Sequence, residues 1–182
     1  AAIARWAIDH AEQLGGDPER VALGGDSAGG NLAAVTAQTL AGEGHTPFAQ
    51  VLLYPVIDFD GDYPSREQNA EGPLLTHRHL EEFRDYYLPT GQDTRDPRLS
   101  PVLADDLEDL PAALVVTAGY DPLRDEGDHY AAALAEDGVA VKHLRYDSLI
   151  HGFFGLGPFS AGCAEAVEEV CAAIGELLGE HN

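Results

Sequence analysis

The chain has 182 residues, 45% hydrophobic and 23% charged, enough for one packed domain and too few for two comfortable ones. Aspartate and glutamate number 32 against 10 lysines and arginines, giving a formal net charge of −22. That balance excludes a nucleic-acid partner, whose phosphates would be repelled, and argues against an anionic membrane surface.

Ile3, Ala7, Ala11 and Leu14 recur at helical spacing, predicting a helix over residues 2–14 that Gly15-Gly16 stops. After the Asp17-Pro18 turn, Val21-Ala22-Leu23 reads as a short strand ending at Gly24-Gly25. An Ala- and Leu-rich helix follows from Ala28 to about Leu40, and a second strand, Val51 to Tyr54, is closed by Pro55. Residues 59–110 are rich in Asp, Pro, Arg and Gly and hold one predicted helix, Thr76 to Leu88, with Leu80, Phe83 and Tyr87 on one side. An insertion of that length in a compact domain reads as a functional element such as a lid. A third strand (Ala113–Thr117), a helix (Arg124–Glu136), a fourth strand (Val139–Tyr146) and a final helix (Ala161–Leu178) complete the chain. Short apolar strands alternating with helices predict an α/β domain, a mostly parallel sheet covered on both faces.

Cys163 and Cys171 lie eight positions apart on the final helix, about 12 Å along its axis, too far for a disulfide. Both are expected to be free and buried. No apolar run reaches the roughly eighteen residues that suggest a membrane span. The start, Ala1 to Trp6, lacks the shape of a signal peptide, and a cytoplasmic location is the expectation. No methionine occurs, so the chain was either trimmed ahead of Ala1 or belongs to a longer one.

The segment Gly24-Gly25-Asp26-Ser27-Ala28-Gly29-Gly30 satisfies G-x-S-x-G between a predicted strand and a predicted helix. A tight strand-to-helix turn lifts Ser27 above the carboxyl edge of the sheet, and the helix N-terminus favours negative charge developing there. A serine hydroxyl needs a base and an orienting carboxylate. His151 follows the fourth strand among apolar neighbours that exclude water, and Asp121 ends the third strand. Asp125, Glu126 and Asp128 are expected to cap or flank the next helix, and Asp147 lies too near His151 in sequence to partner it easily. His77 and His79 open the lid helix without further ligands, His143 lies in the fourth strand and His181 in the tail, so neither metal nor organic cofactor is expected. Asp26 either supports the elbow or lid or is a surface carboxylate. Phe83, Tyr86 and Tyr87 either line an acyl pocket or pack the lid down. The order Ser27, Asp121, His151 is that of α/β-hydrolases, and alternating strands and helices exclude the all-β trypsin-like fold despite the G-D-S start.

Three blocks resemble the hormone-sensitive-lipase family of α/β-hydrolase carboxylesterases: the elbow at 25–30, Asp121-Pro122-Leu123-Arg124-Asp125-Glu126-Gly127, and Ile150-His151-Gly152-Phe153. Tyr54-Pro55 and Leu99-Ser100-Pro101 support them. The resemblance implies Ser27 as nucleophile, His151 as base and Asp121 as orienter in acyl-enzyme chemistry on short or medium acyl esters. It leaves a peptidase or amidase of the same fold, or a non-catalytic ligand-binding relative, as alternatives. Dimers through the final strand are common in the family. Its upstream H-G-G-G loop has no counterpart here, leaving Ala28 N–H as the evident oxyanion donor. The elbow strand, normally fifth of eight, is the first found, so the chain is expected to be the C-terminal part of a longer enzyme. By itself it would be a poor or inactive esterase with an exposed sheet edge that favours aggregation.

Overall fold

The computed structural model describes residues 1–179, so His181 lies outside the described residues. Six helices occur among them: α1 (Ala2–Asp9), α2 (Ala28–Gly42), α3 (Pro64–Gln68), α4 (His77–Tyr87), α5 (Arg124–Glu136) and α6 (Ala161–Leu177). The strands are β1 (Ala22–Asp26), β2 (Ala49–Leu53), β3 (Ala112–Tyr120) and β4 (Val141–Ile150). They form one parallel sheet in the order β1-β2-β3-β4, as an α/β-hydrolase fold requires.

The central strands are buried on both faces, which is why they read as continuous apolar runs. Strands added in one direction through right-handed crossovers place α2 and α5 on the same face. There Ala33, Ala34, Tyr130 and Leu134 pack on Leu52 and Val115. α6 covers the other face, with Cys163, Ala166 and Val170 against Leu53, Leu114 and Val116. Leu40, Leu52 and Leu114 are fully buried, each contributing roughly 1.5–3 kcal/mol. The parallel register aligns Asp26 with Leu53 and Leu53 with Val116. The residues that follow β1, β3 and β4 therefore meet at one carboxyl edge.

Several predicted boundaries move. The first helix ends at Asp9, and Ala11–Leu14 form a separate 3₁₀ turn. Its cause is local: His10 leaves helical geometry at φ −118°, and Gly16 N–H donates to Ala11 O at 2.8 Å. β3 and β4 run past Thr117 and Tyr146 because pairing resumes beyond a bulge at Ala118/Tyr120, with Tyr120 opposite Ile150. Val139 falls outside β4, its N–H donating to Leu134 O as the chain leaves α5. α3 was not foreseen; Pro64 followed by four polar residues carries no apolar periodicity. Of the two thiols, Cys163 is buried but Cys171 is exposed, correcting the expectation for the latter. No helix among the described residues is long and apolar enough to cross a membrane.

Candidate active site

Ser27 is the single residue between β1 and α2, at φ 52°, ψ −117°. This positive φ is costly for a residue with a Cβ, and surrounding bonds hold it. Ser27 N–H donates to Leu53 O at 2.9 Å, while Ser27 O accepts from Asn31 and Val56 N–H, each at 3.2 Å. Two glycines make the turn sterically feasible. A Cβ on Gly25 would lie 2.2 Å from Gly29 O, and one on Gly30 would lie 2.7 Å from Pro55 Cβ. Gly29, although part of the motif, has room: a Cβ there would meet only Asp26 Oδ1, at 3.8 Å.

His151 follows β4 and is 7% exposed, and Asp121 follows β3 and is fully buried. His151 Nε2 lies 3.0 Å from Ser27 Oγ, and Nδ1 lies 2.7 Å from Asp121 Oδ2. A carboxylate only accepts, so Nδ1 carries the imidazole proton and Nε2 presents its lone pair to the serine hydroxyl. The other oxygen, Asp121 Oδ1, accepts from Leu123 N–H at 2.8 Å, which fixes the carboxylate plane. Tyr54, itself at φ 36°, meets the imidazole edge-on at 4.9 Å between ring centres. Burial, reinforced by the charge of Asp26, raises the Tyr54 hydroxyl above its ordinary pKa. The phenol therefore remains a neutral wall.

Ala28 opens α2 and is exposed, with its N–H among the first-turn amides that lack an intrahelical acceptor. Ser27, Ala28 and His151 border a cavity of about 440 Å³. Its walls are mainly apolar: Val56, Phe59 and Leu75 on one side, and Leu80, Phe83 and Tyr87 of α4 on another. Phe59 stacks with Tyr87 at 6.3 Å. Of the aromatics left open between pocket and packing, Phe83 and Tyr87 border the cavity, while Tyr86 is 84% exposed and outside the lining. Asp26 is an exposed carboxylate.

The other ionisable residues take structural places. His79 belongs to a capping box: its N–H donates to Thr76 Oγ1, and Thr76 N–H donates to its Nδ1. Asp128 joins Thr117, His143 and Arg145, tying α5 to β3 and β4. Among the described residues no group of three or more His, Cys, Asp or Glu side chains is arranged to hold a metal. Glu126 is the residue the sequence reading missed. It lies in the first turn of α5, as expected of a residue flanking that helix, but it is wholly buried. Burial pushes its carboxyl up to about 7, against the opposing pull of Arg66 and the amides of Ile57 and Asp58. It falls within the block from Asp121 to Gly127, but nothing local in the sequence shows that it is buried.

A serine, acid and histidine in this chain order, on a strand-to-helix elbow at the carboxyl edge of a parallel sheet, define the architecture of an α/β-hydrolase. The family described as alpha/beta hydrolase fold matches residues 1–155, and the chain belongs to it, within the hormone-sensitive-lipase-like group that the motif blocks indicated. It is 46% identical over 177 residues to the carboxylic ester hydrolase LipN of Mycobacterium tuberculosis, covering 93% of this chain and 47% of that protein. It is 36% identical over 179 residues to an ethyl acetate hydrolase of Pseudomonas putida, covering 97% and 55%. Among solved structures, it superposes on the ester hydrolase EH1AB1 from the Lake Arreo metagenome, in complex with a bipyridine phosphonate derivative. The TM-score is 0.93 at 44% identity, covering 98% of this chain and 57% of that one. The chain thus spans about half the length of the curated relatives it matches.

Proposed function

We propose that the protein hydrolyses carboxylic esters of small molecules through an acyl-enzyme. Ser27 is the nucleophile, His151 the base and then the acid, Asp121 the orienting carboxylate, and Ala28 N–H an oxyanion donor. The observation that carries this reading is the imidazole of His151, bridging Ser27 Oγ at 3.0 Å and Asp121 Oδ2 at 2.7 Å. As Ser27 Oγ attacks the ester carbonyl, Nε2 takes its proton, and the Asp121 carboxylate stabilises the resulting imidazolium. Collapse of the tetrahedral species expels the alcohol, which receives that proton. Water, activated by the same imidazole, then releases the acid and restores Ser27. One oxyanion donor is worth on the order of 10²–10³ in rate, and the N-terminus of α2 adds its dipole at the same point.

An apolar cavity of about 440 Å³ suits a short or medium acyl group. On this reading residues 1–182 belong to a single domain, and residues 59–110 are a lid whose helix α4 supplies an acyl-facing wall. The relatives named for ester and ethyl acetate hydrolysis support the choice of esters. The reading also carries no nucleic-acid partner, consistent with the charge of −22, and a cytoplasmic location, consistent with two free thiols. It further carries pairing of two copies along β4, the last strand in the sheet order.

The test is covalent. A fluorophosphonate probe is expected to add one label, mapped to Ser27 and absent from Ser27→Ala. A parallel panel of p-nitrophenyl esters and anilides is expected to give turnover with the esters alone. Labelling elsewhere, or turnover that survives Ser27→Ala, would overturn the assignment.

A further inference from the structure

Glu126, in the first turn of α5, is buried where four donors converge on its carboxylate. Oε1 accepts from Ile57 N–H at 2.7 Å and from Asp58 N–H at 3.3 Å. Oε2 accepts from Arg66 Nε at 3.1 Å and Nη2 at 2.6 Å. The guanidinium's other bonds run to Gly61 O, at 2.8 Å, and to Asp58 O. Both side chains are thus spent on each other and on the backbone between Ile57 and Gly61. That stretch adjoins the cavity: Val56, Asp58 and Phe59 border it, and Val56 N–H donates to Ser27 O at 3.2 Å.

α3, which carries Arg66, is tied to the turn that carries Asp121. Ser65 N–H donates to Asp125 Oδ2 and Ser65 Oγ to Pro122 O, both at 2.8 Å, and Asn69 Nδ2 donates to Asp121 O at 3.0 Å. α4, on another side of the cavity, has no buried residue. One wall of the cavity is therefore held by charge, whereas α4 is held by the cap at Thr76 and the stack of Tyr87 on Phe59. A buried ion pair is a weak source of net stability compared with apolar packing. The account of this one lies in what it holds in place.

We propose that Glu126 and Arg66 are positioning residues: their ion pair fixes the Val56–Phe59 wall relative to the Ser27 hydroxyl and so selects the acyl groups that lie against it. The assignment rests on the ester-hydrolase reading of this cavity. In Glu126→Gln, one face of the amide must present N–H groups to donors, and the wall loosens.

Two readouts test it in the full chain. By hydrogen exchange, the amides of Ile57 and Asp58 are expected to exchange about tenfold faster in Glu126→Gln, while the α2 amides keep native protection. By fluorophosphonate labelling, the ratio of decyl to ethyl probe rates is expected to fall about tenfold, with the ethyl rate in Glu126→Gln close to native. Because a single substitution leaves the part-buried Arg66 without its partner, the Glu126→Gln/Arg66→Met double variant is measured beside it, and the same faster exchange is expected. Arg66 itself borders the cavity, so the probe ratio is read in Glu126→Gln. Native exchange at Ile57 and Asp58, or equal slowing of both probes, would overturn the proposal. Faster exchange in a protein whose native form neither probe labels would support the wall and remove the ester-hydrolase reading.

Discussion

Replacing Gly25 with alanine tests how the elbow holds its serine. The added Cβ would sit 2.2 Å from Gly29 O, 2.3 Å from Gly29 C and 2.9 Å from Gly30 N, all backbone atoms that no side-chain rotation can move. Carbon and oxygen in contact need about 3.3 Å, so the turn must open by roughly 1 Å. Ser27, two residues on, moves with it, away from the 3.0 Å approach to His151 Nε2. A misplacement of that size costs on the order of 10²-fold in rate, and forcing the overpacked turn costs about 1–3 kcal/mol of stability. Gly29→Ala is the matched control, because its Cβ meets nothing closer than 3.8 Å and lies in the first turn of α2. It should keep Ser27 reactive and gain up to about 1 kcal/mol from helix propensity. Fluorophosphonate labelling rates and thermal melts of both variants make the comparison. Native-rate labelling of Gly25→Ala, or an equal loss in Gly29→Ala, would refute the steric argument.

Asp121→Asn should fold, since Oδ1 can still accept from Leu123 N–H, yet lose about 10⁴-fold in kcat by leaving the imidazole in the wrong tautomer. Near-native ester turnover in this variant would show that another acid serves the ring. The carboxyl of Glu126 titrates near pH 7 when folded against 4.5 ordinarily. Between these values the folded chain keeps a proton that the unfolded chain has lost, so this group's contribution to stability falls as pH rises through the window and is flat above it. The stability difference between the native protein and Glu126→Gln should accordingly shift against the native protein as pH rises from about 4 to about 8. A pH-independent difference in denaturant melts would contradict this. A net charge of −22 makes the folded chain repel itself. Raising NaCl from about 0.1 M to 1 M shortens the screening length from about 10 Å to 3 Å and should raise the melting temperature. A flat or falling melting temperature would mean that the surface ion pairs outweigh the repulsion.

What the sequence revealed is what local chemistry dictates. The elbow is legible because a strand-to-helix turn at Ser27 needs Gly25 and Gly30 next to specific backbone and proline atoms. The sheet is legible because β2 and β3 are buried on both faces and leave apolar runs behind. Asp121 and His151 stood out by position, each directly after a strand. Strand ends were less legible: Asp147-Ser148 interrupts the apolar pattern of β4, and pairing with β3 resumes only beyond a bulge, at Tyr120 opposite Ile150. The break at His10 was hidden because Ile3 and Leu14 keep helical spacing while lying exposed, so their period reports no packed face. Glu126 was visible in the block from Asp121 to Gly127, but its role was not. Its meaning lies in bonds to Ile57, Asp58 and Arg66, which are 60 to 69 residues away in sequence.

The central claim, that Ser27 forms the acyl-enzyme, is open to one direct measurement. The protein is mixed with a slowly deacylating p-nitrophenyl ester, quenched in acid during turnover, digested and weighed by mass spectrometry. The acyl mass is expected on the peptide containing Ser27 and is expected to be absent in His151→Ala. Nitrophenol release with the acyl group on another residue, or on none, would contradict it.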